Sequence, residues 1–378
     1  MALNCGILGL PNVGKSTIFS ALSAAPAEAA NYPFCTIDPN VGIAAVPDER
    51  LGRLAAIFKP RRVIPAAVEF VDIAGLVKGA SRGEGLGNQF LSHIREVGIT
   101  AQVVRCFDNP GIIHVNNRVD PESDMETINI ELALADLETL TKRREREERA
   151  LKIPAEKKAA ETALSAFAKI GPLLEEGKPA RNASLADDEE AAVYDCHFIT
   201  MKKQLYVCNV DEAQFVSGEF SVSLSNGNEQ RYVEAVRRRA AEEGTEAVPI
   251  CGKFEAELAG IEDPEEKQAF LEELGLKESG LAALIRAAYR LLGLRTFFTA
   301  GADECRAWTI HAGDKAPRAA GVIHTDFEKG FIKAEVYGCE DIFTCGTEAK
   351  IKEAGRYRME GRDYVVQDGD VMFFKFNA

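Results

Sequence analysis

Residues 9–16 read Gly-Leu-Pro-Asn-Val-Gly-Lys-Ser and match the pattern G-x-x-x-x-G-K-[ST]. That spacing suits one kind of chemistry. Gly9 and Gly14 let the main chain wrap tightly, so that successive N–H groups and a helix N-terminus face a single anion. Lys15 is then placed to reach the β- and γ-phosphates of a nucleotide, and the Ser16 hydroxyl to ligate Mg²⁺. Asn12, Val13, Gly14 and Thr17 complete the expected cradle. The flanks agree with it. Leu3–Leu8 is an apolar run of strand length, and Ile18, Phe19 and Leu22 follow with helical spacing.

A cradle becomes a switch only when other residues sense the γ-phosphate. Residues 31–39 are punctuated by proline and cannot form a regular helix. Within them Thr36 is the candidate whose hydroxyl and carbonyl would join the Mg²⁺ shell while a γ-phosphate is bound. Val63–Val71 reads as a strand ending in Asp72-Ile-Ala-Gly75. This D-x-x-G offers the Asp72 carboxylate on the Mg²⁺ side and the Gly75 N–H for the γ-phosphate. Leu76 follows, where many switch GTPases carry a Gln that orients the attacking water. Leucine has neither donor nor acceptor, so hydrolysis must recruit another group or run slowly. Cys35, beside Thr36, reads either as an accessible thiol that reports on the loop or as a small apolar residue packed under it.

Downstream, Val103–Asp108 reads as a buried strand, and the loop after it contains His114. An imidazole titrating near neutrality could orient or deprotonate water where Leu76 cannot. His93, in the helix expected around Phe90, Leu91 and Ile94, is the rival; a surface histidine without a role is the plain alternative. After a strand at Lys203–Cys208 stands Asn209-Val-Asp-Glu212, at the place where guanine-specific proteins carry N-K-x-D. Glu212 is too long for the two-bond guanine pairing that the shorter Asp makes, and Val210 offers an apolar cover for any purine. Guanine discrimination should therefore weaken, though adenine preference does not follow from that alone.

These residues sit in a chain of 378 residues, long enough for two or three domains. No apolar run approaches the ~20 residues of a membrane helix. The nine cysteines include no C-x-x-C pair, which argues for reduced thiols in the cytosol and against a disulfide framework or a zinc site. Net charge is −14, and no large segment is basic, which excludes indiscriminate binding to nucleic acid. Ile130, Leu134, Leu137 and Thr141, then Ala160, Leu164, Phe167, Ile170 and Leu174, recur at helical spacing on either side of the charged run 142–149. Two such helices, the second closing at Gly171-Pro172 or Gly177 and returning through an acidic turn at Asp187–Glu190, suggest a projecting antiparallel hairpin. From Thr296 the texture is β: short runs at 296–299, 306–311, 331–336, 364–367 and 371–376 surround a helical segment near Phe327. Asp368-Gly-Asp would join the last two as a tight hairpin, and the whole suits a β-grasp.

Taken together, Gly9–Ser16, Asp72–Leu76 and the glycine-rich run 79–87 resemble the Obg branch of P-loop switch proteins. Within that branch the match is to the YchF family, the Obg-like ATPases, over essentially the whole chain. The resemblance implies an α/β fold. A P-loop NTPase domain of the Ras-like G-domain type would occupy 1–124 and 201–295, with an inserted antiparallel coiled-coil hairpin at 125–200 and a C-terminal β-grasp TGS domain at 296–378. It further implies ATP rather than GTP as substrate, Mg²⁺ as cofactor, and His114 and Lys15 as catalytic residues. Asn209, Val210, Glu212 and Cys251 would contact the base, Cys251 standing where Ser is commoner, and Asn12 could place a K⁺ ion as in some Obg-related proteins. TGS domains are linked to RNA and ribosome contact. The expected function is therefore an ATP-hydrolysing molecular switch, cytoplasmic and monomeric, without a membrane partner. It would act on the ribosome or a translation complex, with RNA contact through the TGS domain and the hairpin. The alternatives are a GTPase or dual-specificity NTPase, and a nucleotide-gated binding protein in which hydrolysis is incidental.

Overall fold

The structure is a computed structural model that describes residues 3–24, 40–73, 86–217, 228–261 and 263–377. Cys35, Thr36, Gly75 and Leu76 lie outside the described residues. In chain order the elements are β1 (Asn4–Gly9), α1 (Lys15–Ala24), β2 (Val41–Ala45), α2 (Glu49–Phe58), β3 (Arg62–Ile64), β4 (Ala67–Asp72), α3 (Leu86–Glu96) and β5 (Ile99–Arg105). The long helices α4 (Pro121–Ala150) and α5 (Lys157–Glu175) follow, then α6 (Asp187–Val193), β6 (Gln204–Asn209), α7 (Glu212–Ser217), α8 (Asn228–Glu242) and β7 (Ala247–Ile250). The rest comprises α9 (Gly252–Ala259), α10 (Pro264–Glu273), α11 (Gly280–Leu291), β8 (Leu294–Ala300), β9 (Glu304–His311), α12 (Ala316–Ile323), β10 (Phe331–Gly338), β11 (Arg358–Glu360) and β12 (Asp370–Phe376), besides short helices. Two compact units result: one holds residues up to Ala24, 40–42 and 69–284, the other 43–68 and 285–377.

The first unit is built on a sheet of order β2-β4-β1-β5-β6-β7. β4, β1, β5, β6 and β7 run parallel. Every residue of β5 and β6 is buried, as expected of parallel strands covered on both faces. β1, β5, β6 and β7 therefore deliver their C-terminal ends to one edge, where ligands of open α/β sheets bind.

The hairpin forms, and α5 contributes the seam its spacing suggests, through Phe167, Ile170 and Leu174, while the seam of α4 is shifted. Ile130 and Leu134 are 40% and 44% exposed, whereas Ala133 and Leu140 pack against Ala163, Ala166, Phe167 and Ile170. Small alanines let the two helices approach, so the larger residues one step away are left outside. α5 passes through Pro172 and ends just before Gly177, whose φ of +71° makes the turn. The acidic stretch at 187–190 is a helix rather than a turn. Glu189 ties it to α5 by accepting from Ser165 Oγ at 2.7 Å and Lys169 Nζ at 2.6 Å. At the hairpin base Asp136 is fully buried and accepts from the main-chain N–H groups of Ile199 and Thr200 and from the Thr200 hydroxyl.

The second unit has the β-grasp arrangement, with sheet order β11-β10-β12-β8-β9-β3. β8 and β12 run parallel, while β8–β9 and β10–β12 are antiparallel. Its principal helix is α12, whose Ala316, Ala319 and Ala320 pack with Phe297, Ile310 and Phe374; Phe327 lies on a short helix, Thr325–Lys329, and packs against the same core. Residues 364–367 are not a strand, since Val365 makes one isolated bridge to Lys315. Asp368-Gly-Asp is consequently not a hairpin tip. Asp368 Oδ1 instead accepts from Thr296 N at 2.8 Å, and its other oxygen takes Arg50 Nη1 at 2.8 Å. The expected strand 63–71 is two strands broken at Pro65-Ala66: β3 joins β9, and β4 joins β1.

One buried carboxyl gives the first unit a pH dependence. Glu255 is 1% exposed, accepts from Gly280 N at 2.7 Å, and has its other oxygen without a partner. Burial pushes its carboxyl up to about 7 from the usual 4.5. The folded chain thus keeps a proton that the unfolded chain has released, so stability falls as pH rises from about 4.5 to about 7 and is not regained above. Glu255→Gln should flatten that part of the profile in urea-unfolding midpoints measured across the range. An unchanged slope would mean that the proton is not held there.

Candidate functional site

Gly9 ends β1 against β5: a Cβ there would lie 2.9 Å from Val103 O and 3.0 Å from Val13 Cγ2. The loop then turns through two left-handed residues, Asn12 at φ 62° and Gly14 at φ +92°. A side chain on Gly14 would collide with the Asn209 amide. That amide is the brace of the site. Asn209 is 5% exposed, its Nδ2 donates to Val13 O at 2.8 Å, and its Oδ1 accepts from Gly252 N at 3.0 Å. One side chain at the end of β6 therefore holds the loop after β1 and the start of α9 together.

Lys15 is buried at the start of α1 and ion-paired with Asp72 at the end of β4, so the two residues expected at the phosphates and at the metal are in contact. Ser16 and Thr17 are exposed on the first turn of the same helix. Beside them opens a cavity of about 550 Å³, bordered by Gly14 and Thr17 at one end and by Phe107, Ile112, Val210 and Cys251 farther along. Val210 is only 2% exposed and packs with Cys208, Phe215 and Phe254 while bordering the cavity. Cys251 caps α9, its Sγ accepting from Phe254 N at 3.5 Å, which is the service a serine would render there. Glu212 Oε2 is paired with Lys253 Nζ at 2.9 Å.

His114 is neither on the surface nor on this cavity. It is 5% exposed and borders a neighbouring cavity of about 430 Å³. Its Nδ1 accepts from Asn116 N at 3.1 Å, which puts the proton on Nε2, and Nε2 meets Asp124 Oδ2 at 2.9 Å. Burial pushes the Asp124 carboxyl up, and the imidazole pulls it back. The backbone beside it does reach the cradle, since Ile113 O accepts from Asn12 Nδ2 at 3.1 Å. His93 lies on α3.

The sequence reading did not single out Phe107, Ile112 or Lys253. Lys253 stands two residues after Cys251, and its partner Glu212 lies 41 residues earlier, beyond the reach of local pattern. Phe107 stands two residues after Arg105, a lone charge at the end of a buried strand and the one signal the sequence offered.

A parallel sheet with this cradle at its carboxyl edge defines a P-loop nucleotide-binding protein of the Ras-like class. Residues 4–143 match a family described as 50S ribosome-binding GTPase, and residues 294–377 match YchF-GTPase_C, described as a protein of unknown function. Over 378 residues, and the full length of both chains, the protein is 52% identical to the ribosome-binding ATPase YchF of Bacillus subtilis and 51% identical to that of Escherichia coli O157:H7. The solved Schizosaccharomyces pombe YchF GTPase superposes with a TM-score of 0.86 at 38% identity, covering 99% of this chain and 97% of that one. The chain belongs to the YchF family.

Asn209→Ala strands a buried carbonyl and a buried N–H, each costing about 1–3 kcal/mol. It should weaken nucleotide binding at least about tenfold in a fluorescent-nucleotide titration, with Asn209→Asp intermediate because it still accepts from Gly252 N. Binding of wild-type strength in Asn209→Ala would show that the two loops hold their places without the brace.

Proposed function

We propose that the protein is an Mg²⁺-dependent ATPase that works as a molecular switch on the ribosome. The observation that carries the reading is the cradle: Gly14, Lys15 and Ser16 at a helix start, with Asp72 against the Lys15 ammonium and an open cavity alongside. Lys15 meets the phosphates in this reading, and the braced Asn209 shapes the base end with Glu212 and Cys251. The donor set fits Mg²⁺, a hard cation that takes a hydroxyl and a carboxylate oxygen beside phosphate. Ser16 and Asp72 would hold it together with Thr36, and the bound ion would offset charge on the β- and γ-phosphates. Gly75 would face the γ-phosphate. K⁺ beside Asn12 is a further part of the proposal.

Glu212, held by Lys253, supports weak guanine pairing, because the two-bond acceptor that guanine needs already has a cation on one oxygen. Since Leu76 cannot orient water, His114 is proposed to do so once its ring leaves Asp124. The ribosome enters through the relatives, which are named ribosome-binding ATPases. RNA contact is proposed at the charged stretch 142–149 of the hairpin and on the outer face of the second sheet. There Phe373 is 52% exposed, and Lys333 pairs in register with Lys375. The chain is proposed to act as a cytoplasmic monomer.

The decisive experiment titrates ATP and GTP in parallel with Mg²⁺ and pellets ribosomes with and without a non-hydrolysable ATP analogue. ATP should bind more tightly than GTP, and Lys15→Ala should lose ATP binding while remaining folded. His114→Ala should keep ATP affinity and lose about tenfold to a thousandfold in kcat. Undiminished hydrolysis by Lys15→Ala would end the reading. Ribosome pelleting indifferent to nucleotide would end the switch.

A further inference from the structure

Arg105 is the last residue of β5 and is 1% exposed, flanked by Val104 and Cys106, which are as deeply buried. Its guanidinium makes three hydrogen bonds, all to main-chain carbonyls of the loop that follows. Nε donates to Phe107 O at 3.1 Å, Nη1 to Ile112 O at 3.0 Å and Nη2 to Asn109 O at 3.1 Å. The same guanidinium lies over the Phe107 ring, 4.7 Å from its centroid. Burying a cation at a strand end is costly, and burial pulls this guanidinium below its usual range. A loop that needed only anchoring could be held by neutral groups, so the charge calls for a further explanation.

What the three bonds fix is the curl of residues 107–112. Two local bonds tighten it: Asn109 Oδ1 accepts from Gly111 N at 2.8 Å, and Ile112 N donates to Asn109 O at 3.1 Å. The curl turns Phe107, Asn109 and Ile112 onto the cavity beside the cradle. One residue on, the Ile113 carbonyl takes the amide of Asn12 in the cradle itself. We infer that Arg105 is a positioning residue for nucleotide binding, its guanidinium setting the loop 107–113 as one wall of the cavity and tying that wall to the phosphate cradle through Asn12. The three carbonyls are met by three different nitrogens of one planar fork; an ammonium has three donors but a single nitrogen, and cannot occupy the three positions at once. The inference rests on the nucleotide reading of this cavity and names a part of the site that the motif residues do not include.

The test compares the wild-type chain with Arg105→Lys and with a second variant that leaves Arg105 alone, two glycines inserted after Asn109 to slacken the curl. ATP is the probe, with Lys15→Ala as the non-binding reference. Arg105→Lys should raise Kd and KM for ATP at least about tenfold, with kcat moved far less, because it removes charged hydrogen bonds from the wall and leaves the phosphate groups in place. Faster amide hydrogen exchange should be confined to residues 107–117. The slackened loop should reproduce the Kd change with Arg105 intact, so the inference stays testable even if Arg105→Lys fails to fold. Wild-type affinity in the slackened variant, or in a folded Arg105→Lys, overturns the inference while leaving the cavity a nucleotide site. Exchange that accelerates throughout β5 and β6 in Arg105→Lys also overturns it, reducing Arg105 to a core residue. If the wild-type chain does not bind ATP, the nucleotide reading itself falls first.

Discussion

A peptide group removed from water must find a partner, and at the carboxyl edge of the first sheet one side chain supplies two of them. The Asn209 amide donates to the carbonyl of Val13 and accepts from the N–H of Gly252, loops that leave different strands. Much follows from that pair of bonds. The amide lies so close to Gly14 that no side chain fits there, which leaves the main chain bare on the side where an anion would arrive. The start of α9 is fixed by the same bond, and with it the Cys251 cap that borders the cavity.

The same device, a buried polar side chain spent on main-chain groups, recurs away from the cradle. Asp136 accepts three hydrogen bonds at the base of the hairpin, and Arg105 donates three to the loop after β5. Both hold non-repetitive chain in place relative to a regular element, which apolar packing does poorly because it has no direction. The pairs along the hairpin surface, such as Lys142–Glu138 and Arg144–Glu148, are exposed at both ends and contribute little. Position in this protein is set by a few buried groups.

How much of this could be read from the chain depended on whether the determining partner was local. The cradle was legible because its glycines, lysine and serine dictate their own backbone within eight residues. The helical hairpin was legible as two periodic segments, and so was the α5 side of its seam; on α4 Ala133 and Leu140 take contacts expected of Ile130 and Leu134, and Asp136, which looks like a surface residue, is buried by partners at Ile199 and Thr200. Residues 63–71 keep the pattern of one strand, yet Pro65-Ala66 divides them between two sheets, a choice set by partners more than two hundred residues apart. At the site, His114 was marked by its type, while its burial against Asp124 depends on the first turn of α4. Arg105 was the missed clue, a lone charge in a strand whose every other residue is apolar or buried.

The contact between Lys15 and Asp72 has a consequence for what the cradle will admit. In the free protein each charge is already the counter-ion of the other, so the cradle offers an incoming anion a cation that is spoken for. A bare anion that draws Lys15 away leaves a partly buried carboxylate without compensation. An anion escorted by its own divalent cation would instead let the pair exchange partners, Lys15 to phosphate and Asp72 to metal, with no charge left alone. In the proposed reading, inorganic phosphate and uncomplexed nucleotide would thereby be handicapped against the metal complex before any contact with the base is made.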